Sequence, residues 1–475
     1  MFASVKDKRG KRRTHGTCVL PRHASEFCNA SCDSHSGCFL TVNLTHTFLI
    51  NQLSIEGPSN QVVQHSIMPS VLPLEIIALI IDIAGENKDI NLLKELALVS
   101  HSCLQICNKH LFATVELSDA NSRRASSKDG FVELFKSRPD IVKYIRKLTY
   151  MVGYDEDHLL SPILPNFLRT ISRLNRLTIS GFRSNWNTLD SSLTSAFLHL
   201  MHLPTINHID LSNIRDFPIS SLTLSVNLHR LDIFRLSCSS PHSSPEIVVQ
   251  SEMPQIREFH ASESSLQTSR LLHAKSQDGR PAFNFMDLRR LSMSLTYLDE
   301  DERNIRYLLQ NATLLEKLHL SVGHDQSLAG LHDILSLNAS TLKVLDMKVF
   351  LYHDFVPLIL AGLCEELEAM AGYNTLDTLS FEVGVDGDET DDIIGRAFEK
   401  LEKVLIKPGW SALKQVSFKV SIACCKVSSE ESAELFEELQ TLPDKYLSHL
   451  PKHESVAFNY SVYIAECYSV VNYEF

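Results

Sequence analysis

Long apolar runs are missing from this sequence. The most apolar stretch, VLPLEIIALIIDIA at residues 71–84, gives about a dozen apolar positions after Pro73, against the roughly 20 that a membrane helix needs. The run from Phe39 to Ile50 is broken by Asn43, Thr45, His46 and Thr47. No membrane span is expected. An excess of positive charge is missing too: Asp and Glu outnumber Lys and Arg by 57 to 45, a net charge of -12, which argues against a dedicated nucleic-acid binder. The cysteines do not form a dense, even set. There are 11, scattered over the chain, so reduced thiols are expected rather than a secreted disulfide framework. The basic start KDKRGKRR is followed by no apolar core with a small-residue cleavage site, so no secretory signal is expected. Together these features point to a cytoplasmic or nuclear protein, and the Asn-x-Ser/Thr triplets at Asn29, Asn43, Asn311 and Asn338 carry no weight.

The motifs of catalysis and of cofactor binding are absent as well: no Gly-rich phosphate loop, no HExxH, no GxSxG, and no GxGxxG opening a helix. No catalytic residue, metal or cofactor is expected. Cys18, Cys28, Cys32 and Cys38 cluster with three histidines, yet the tight ligand pairs of a structural zinc site are lacking. The acidic run DGDETDD at Asp386 has Asp391 and Ala397 where a calcium loop needs Gly and Glu, and reads as a solvated loop leading into a helix.

What is present is ordinary globular composition, 44% hydrophobic and 21% charged, divided at about Met68. Residues 1–67 show no sustained period and read as a flexible extension. From 68 to 118 the chain is compact and apolar, with three short helices expected: one opened by Pro73 and ended by Gly85, a second carrying Leu92, Leu93 and Leu96, and a third capped by Ser100 or Ser102. The first of these has almost no wet face, since only Glu75 and Asp82 are polar between residues 71 and 84. A small helical domain cannot cover such a helix on every side, so a partner is expected to do so.

The run LPLEII, then Ile80 and Ile81, then LALVS followed by HLF, resembles an F-box. Leu72, Pro73, Glu75, Ile76, Ile80 and Val99 with Ser100 fall where that pattern has them, while Ala84 stands in the place of a leucine and Cys103 in that of a tryptophan. The resemblance implies docking to the Skp adaptor of cullin-based ubiquitin ligases, with Leu72, Pro73, Ile76, Ile80, Val99 and Cys103 as the adaptor-binding residues.

After a linker expected at 119–140, one phrase recurs through residues 141–475: apolar, two polar, apolar, one polar, apolar. Its ten copies start at Ile145, Leu174, Ile206, Leu228, Ile256, Leu288, Leu315, Leu342, Leu376 and Leu413, spaced by 22 to 37 residues. The alternation predicts strands, and stretches such as DERNIRYLLQN, QSLAGLHDILSLN and DFVPLILAGLCEELEAMAG predict helices between them, the last ending before Gly372, where a left-handed cap is expected. The expected class is therefore α/β: a small three-helix F-box-like domain followed by an irregular leucine-rich-repeat-like solenoid with a parallel sheet. The order of the two modules is similar to F-box proteins carrying leucine-rich-repeat-like domains, a fungal type among them. By that likeness the protein is a substrate receptor of a Skp-cullin-F-box ligase, partnered by the adaptor, through it a cullin scaffold, and a target protein. The alternative is a plain repeat scaffold whose first helices only cap the repeats. The polar residues inside the strands, Thr178, Asp210, Asp232, His260, Ser292, His319 and Asp346, are the expected target-binding set.

Overall fold

The structure is a computed structural model. It describes residues 72–465 apart from 119–125, 154–162, 238–246, 249–251, 277, 296–297, 323–332, 334, 352–355, 373, 386–390, 424–428, 448 and 453–454. All described residues fall within one compact unit, Leu40–Phe475. The N-terminal extension, the Cys18–Cys38 cluster, most of the Ser/Pro-rich stretch after Ser237, the acidic run at 386–390 and the Cys424–Cys425 pair lie outside them.

Three helices open the described chain: α1 (Leu74–Glu86), α2 (Ile90–Ala97) and α3 (His101–Leu111). Pro73 sits just ahead of α1 with φ -52°, and its carbonyl accepts from the amides of Ile76 and Ile77. Asp89 caps α2 through the amide of Leu92, and Ser100, the first of the two expected candidates, caps α3 through that of Cys103. Gly85 does not end α1 as expected. It lies inside the helix, where a Cβ would come within 2.1 Å of the His110 ring; the left-handed residue that turns the chain is Lys88, with φ 57°. His110, for which no acidic partner is evident in the sequence, reaches across from α3 to Asp82 at 2.8 Å. Ile81, Ala84, Leu93, Cys103 and Cys107 form a small core of their own, separate from the rest.

The remainder is a mixed α/β body built on one open, all-parallel sheet. Its strands are β1 (Thr114–Ser118), β2 (Lys147–Val152), β3 (Arg176–Asn185), β4 (His208–Arg215), β5 (Arg230–Phe234), β7 (Glu258–Ser262), β9 (Arg290–Leu295), β10 (Lys317–Val322), β11 (Val344–Leu351), β12 (Thr378–Val385), β13 (Gln415–Ala423) and β14 (Ala457–Ala465). A two-residue pair, β6 (Ile247–Val248) with β8 (Lys275–Ser276), stands apart. The twelve strands lie in chain order, so each pairs with its predecessor and its successor in the sheet, except β1 and β14, which form the two edges. Ten of them are the recurring phrase. Its first, fourth and sixth residues are buried in every copy, from Ile145, Leu148 and Tyr150 to Leu413, Val416 and Phe418, and form three rungs of one continuous core. Helices run between strands, among them Leu298–Asn311, Val356–Met370 and Asp391–Leu405. Gly372, with φ 89°, follows the second of these in the left-handed conformation expected of it.

Two boundaries differ from expectation. The residues Thr114–Ser118, placed with the helical domain, are the first strand of the sheet, and the expected linker contains a helix, Ser126–Ser137. Phe131 of that helix packs edge-on against the Phe167 ring at 5.1 Å, so this interval belongs to the large core. Residues 112–117, FATVEL, align in register with the phrase, with Val115 and Leu117 buried but Phe112 only half-buried and Ala113 in a polar place.

Because each strand depends mainly on its neighbours, damage should remain local. Leu318→Asp places a carboxylate in the buried fourth position of β10, at a cost of ~3 kcal/mol or more. Hydrogen exchange should show lost protection in β9 to β11 with α1 to α3 unchanged; uniform loss from residue 72 to residue 465 would mean a single cooperative globule.

Candidate interaction surfaces

Helix α1 carries two apolar faces. At 100° per residue Ile77, Ile81 and Ala84 share the side turned to the small core, while Ile76, Leu79, Ile80 and Ile83 share another, with Leu72 in line just ahead of the helix. This second face is open: all five of its residues are exposed, Leu79 at 56%. Asp82, Glu75 and Glu86 make only a narrow polar strip beside it. Of the six expected adaptor-binding residues, Leu72, Pro73, Ile76, Ile80 and Val99 are exposed and able to meet a partner. Cys103 is not. At 1% exposure it belongs to the small core beside Cys107, whose thiol pKa is raised by burial and then by the Cys103 sulfur, and it contacts no partner directly. Leu79 and Ile83, which the pattern match omits, complete the face; helical periodicity alone would have found them.

The second surface is the outward row of the sheet. Thr178, Asp210, Asp232, His260, Ser292, His319 and Asp346 occupy the same register position on seven successive strands of the sheet, from β3 to β11. The row extends at one end through Thr149 to Glu116, and at the other through Ser380 and Ser417 to Asn459. Stacking Asp210 beside Asp232 is unfavourable on its face, since like charges directly opposite repel. The residues two places earlier, absent from the expected set, offset this. Arg176 reaches Asp210 at 3.2 Å, His208 reaches Asp232 at 2.9 Å, and Arg230 bridges Asp232 at 3.0 Å and Glu258 at 3.2 Å. Arg290 takes the other oxygen of Glu258 at 3.1 Å, and His319 pairs with Asp346 at 3.1 Å.

The two central carboxylates are consequently pushed apart. Burial raises Asp210, the Asp232 charge adds to it, and Arg176 only partly opposes them. Burial would raise Asp232 likewise, but hydrogen bonds from His208 and Arg230 outweigh it and hold its pKa down at about 2. His260 is lowered, chiefly by burial, so its neutral form is favoured. In Asp346 the His319 contact overcomes burial and lowers the pKa. The carboxylates Asp210, Asp232 and Asp346 of the row are thus paired within the sheet itself. Among the described residues no cluster of His, Cys, Asp or Glu has the arrangement of a metal site, and no helix is long and apolar enough to cross a membrane.

No protein-family model matches the chain, and no curated protein matches it.

Two predictions follow from these environments. The depressed pKa of Asp232 contributes stability that is complete above its unfolded value of about 3.9 and is lost as pH falls through about 2; the raised pKa of Asp210 has the opposite sign and weakens the fold at neutral pH. Asp232→Asn should therefore lower stability at pH 7 by about 1–3 kcal/mol, whereas Asp210→Asn should leave it unchanged or raise it. Denaturant titrations should show that gap closing between about pH 4 and pH 2. For the small core, Cys103→Trp overfills a site closed around sulfur and should lower the melting temperature; a rise would reveal an aromatic-sized void.

Proposed function

We propose that this protein is the substrate-recognition subunit of a Skp-cullin-F-box type ubiquitin ligase. Helices α1 to α3 form an F-box-like module that docks onto a Skp-type adaptor and through it onto a cullin. The stacked strands form an irregular leucine-rich-repeat-like solenoid that holds a target protein, and a separate enzyme transfers ubiquitin. The protein contributes no active site of its own.

The observation that carries this reading is the open apolar face of α1. Five large aliphatic side chains exposed along one helix face are a surface that water does not favour and a partner would cover. A capping module would instead bury its apolar side on the repeats and turn polar residues outward. Here the inner face of α1 is already occupied by the small core, and the outer face remains. The F-box-like residues Leu72, Pro73, Ile76 and Ile80 sit at or on that outer face, as the docking reading requires.

The test is capture of a purified Skp-type adaptor by the full chain and by Leu72→Ala, Ile76→Ala, Ile80→Ala together. These side chains are exposed, so the fold should survive, whereas truncating interface anchors typically costs about 1–4 kcal/mol of binding. Strong loss of capture with an unchanged circular dichroism spectrum is the expected result. Equal capture by the triple variant would remove the docking assignment.

A further inference from the structure

We propose that the edge of the sheet where the strands begin is a docking surface for an acidic, extended segment of a partner protein. The inference concerns the sheet alone and does not depend on adaptor binding, so either can fail without the other.

Each of the ten phrases has two residues between its first and fourth positions, and these line the starts of β2 to β13 on the outer side of the core. Ten of those twenty residues are Lys or Arg and three are acidic, in a chain where acids outnumber bases 57 to 45. The local balance is the reverse of the global one. Part of this charge is consumed within the sheet, by the pairs of Arg176, Arg230 and Arg290 described above and by Lys343, which pairs with Glu316 at 3.6 Å. Part is not. Among the described residues Lys147, Arg257, Arg289 and Lys414 are exposed and make no ion pair, and the Arg146 guanidinium donates only to the carbonyls of Lys143 and Ile145. Exposed cationic groups without a carboxylate partner, spaced along an edge, form an electrostatic footprint for carboxylates.

Arg257 and Arg289 are the centre of it. The Arg289 amide donates to the Arg257 carbonyl at 2.8 Å, so the two side chains leave neighbouring strands at the same level, with backbones about 4.8 Å apart. An extended peptide presents alternate side chains about 6.6–6.8 Å apart, a spacing that two long arginines on adjacent strands can span. Beside them a shallow cavity of ≈ 550 Å³ opens along the same edge, lined by Arg289, Lys343 and Lys414 with the exposed Leu314 in its wall. Glu316, which pairs with Lys343, and Asp377 interrupt the basic residues there. A peptide can place neutral residues opposite these two acids, whereas a nucleic acid would bring a phosphate to every position. That interruption, with the net charge of -12, selects a protein segment over a polyphosphate.

The experiment is a fluorescence-anisotropy titration of the full chain with labelled decaglutamate, and separately with decalysine, at low and at about 0.15 M ionic strength. Decaglutamate should bind the more tightly, with affinity falling as salt rises. Arg257→Glu with Arg289→Glu should weaken it by about tenfold or more, and Arg257→Gln with Arg289→Gln by a smaller, measurable factor. The control Lys94→Glu with Lys109→Glu alters net charge equally on α2 and α3 and should leave binding within about twofold. Thermal melts of each variant check that it is folded. The proposal is overturned if the control loses as much as the edge variant, or if decalysine binds as well as decaglutamate. It is also overturned if a ten-nucleotide single strand or an anionic vesicle competes decaglutamate away at lower concentration.

Discussion

One backbone contact, repeated along the sheet, organises this molecule. At the start of each strand the carbonyl of the phrase's second residue accepts two amides from the next phrase: Arg146 from Asn175 and Arg176, Asn175 from Asn207 and His208, and so on to Asp377 from Lys414 and Gln415. A shared acceptor of this kind fixes neighbouring strands in level register before any side chain is considered, and a one-residue slip would turn every buried leucine to the outside. The intervals between phrases can then vary widely, because the connections lie away from the seam. The rungs of buried leucine, the outward polar row and the basic edge are all consequences of that alignment.

The repeat was legible because its physics is local in period and global in extent. Three apolar positions at fixed offsets recur ten times, and each becomes a strand of the sheet. The first and last strands were harder to see. In β14 the position equivalent to Leu413 is Ser455, so the phrase loses its opening residue, and in β1 the stretch FATVEL is hidden by the apolar character of the helices before it. The outward row was also legible, since alternation within a strand separates inside from outside without reference to anything else. Its charge logic was not. Arg176 meets Asp210, His208 meets Asp232 and Arg230 meets Glu258 only because parallel strands set side by side residues 24 to 34 apart in sequence.

The helical module shows the complementary case. Pattern matching placed Cys103 among contact residues because the F-box pattern has an aromatic at that place, yet helix geometry turns the position inward. The same geometry turns Leu79 and Ile83 outward. The close approach of Gly85 to His110, and the bond from His110 to Asp82 across 28 residues, had no local signal at all. A glycine in a helix is usually a weakness; here it is the space into which a neighbouring ring fits.

The strict chain order of the strands has a mechanical meaning. With β1 and β14 at opposite edges, a load carried from one edge to the other crosses every interstrand seam in turn, and the hydrogen bonds of each seam lie along the line of pull. Seams in series do not add their strengths. The capacity of the whole is that of its weakest link, and the β7–β9 seam, registered over only Glu258–Ala261 against Arg290–Met293, is the shortest in the twelve-stranded sheet.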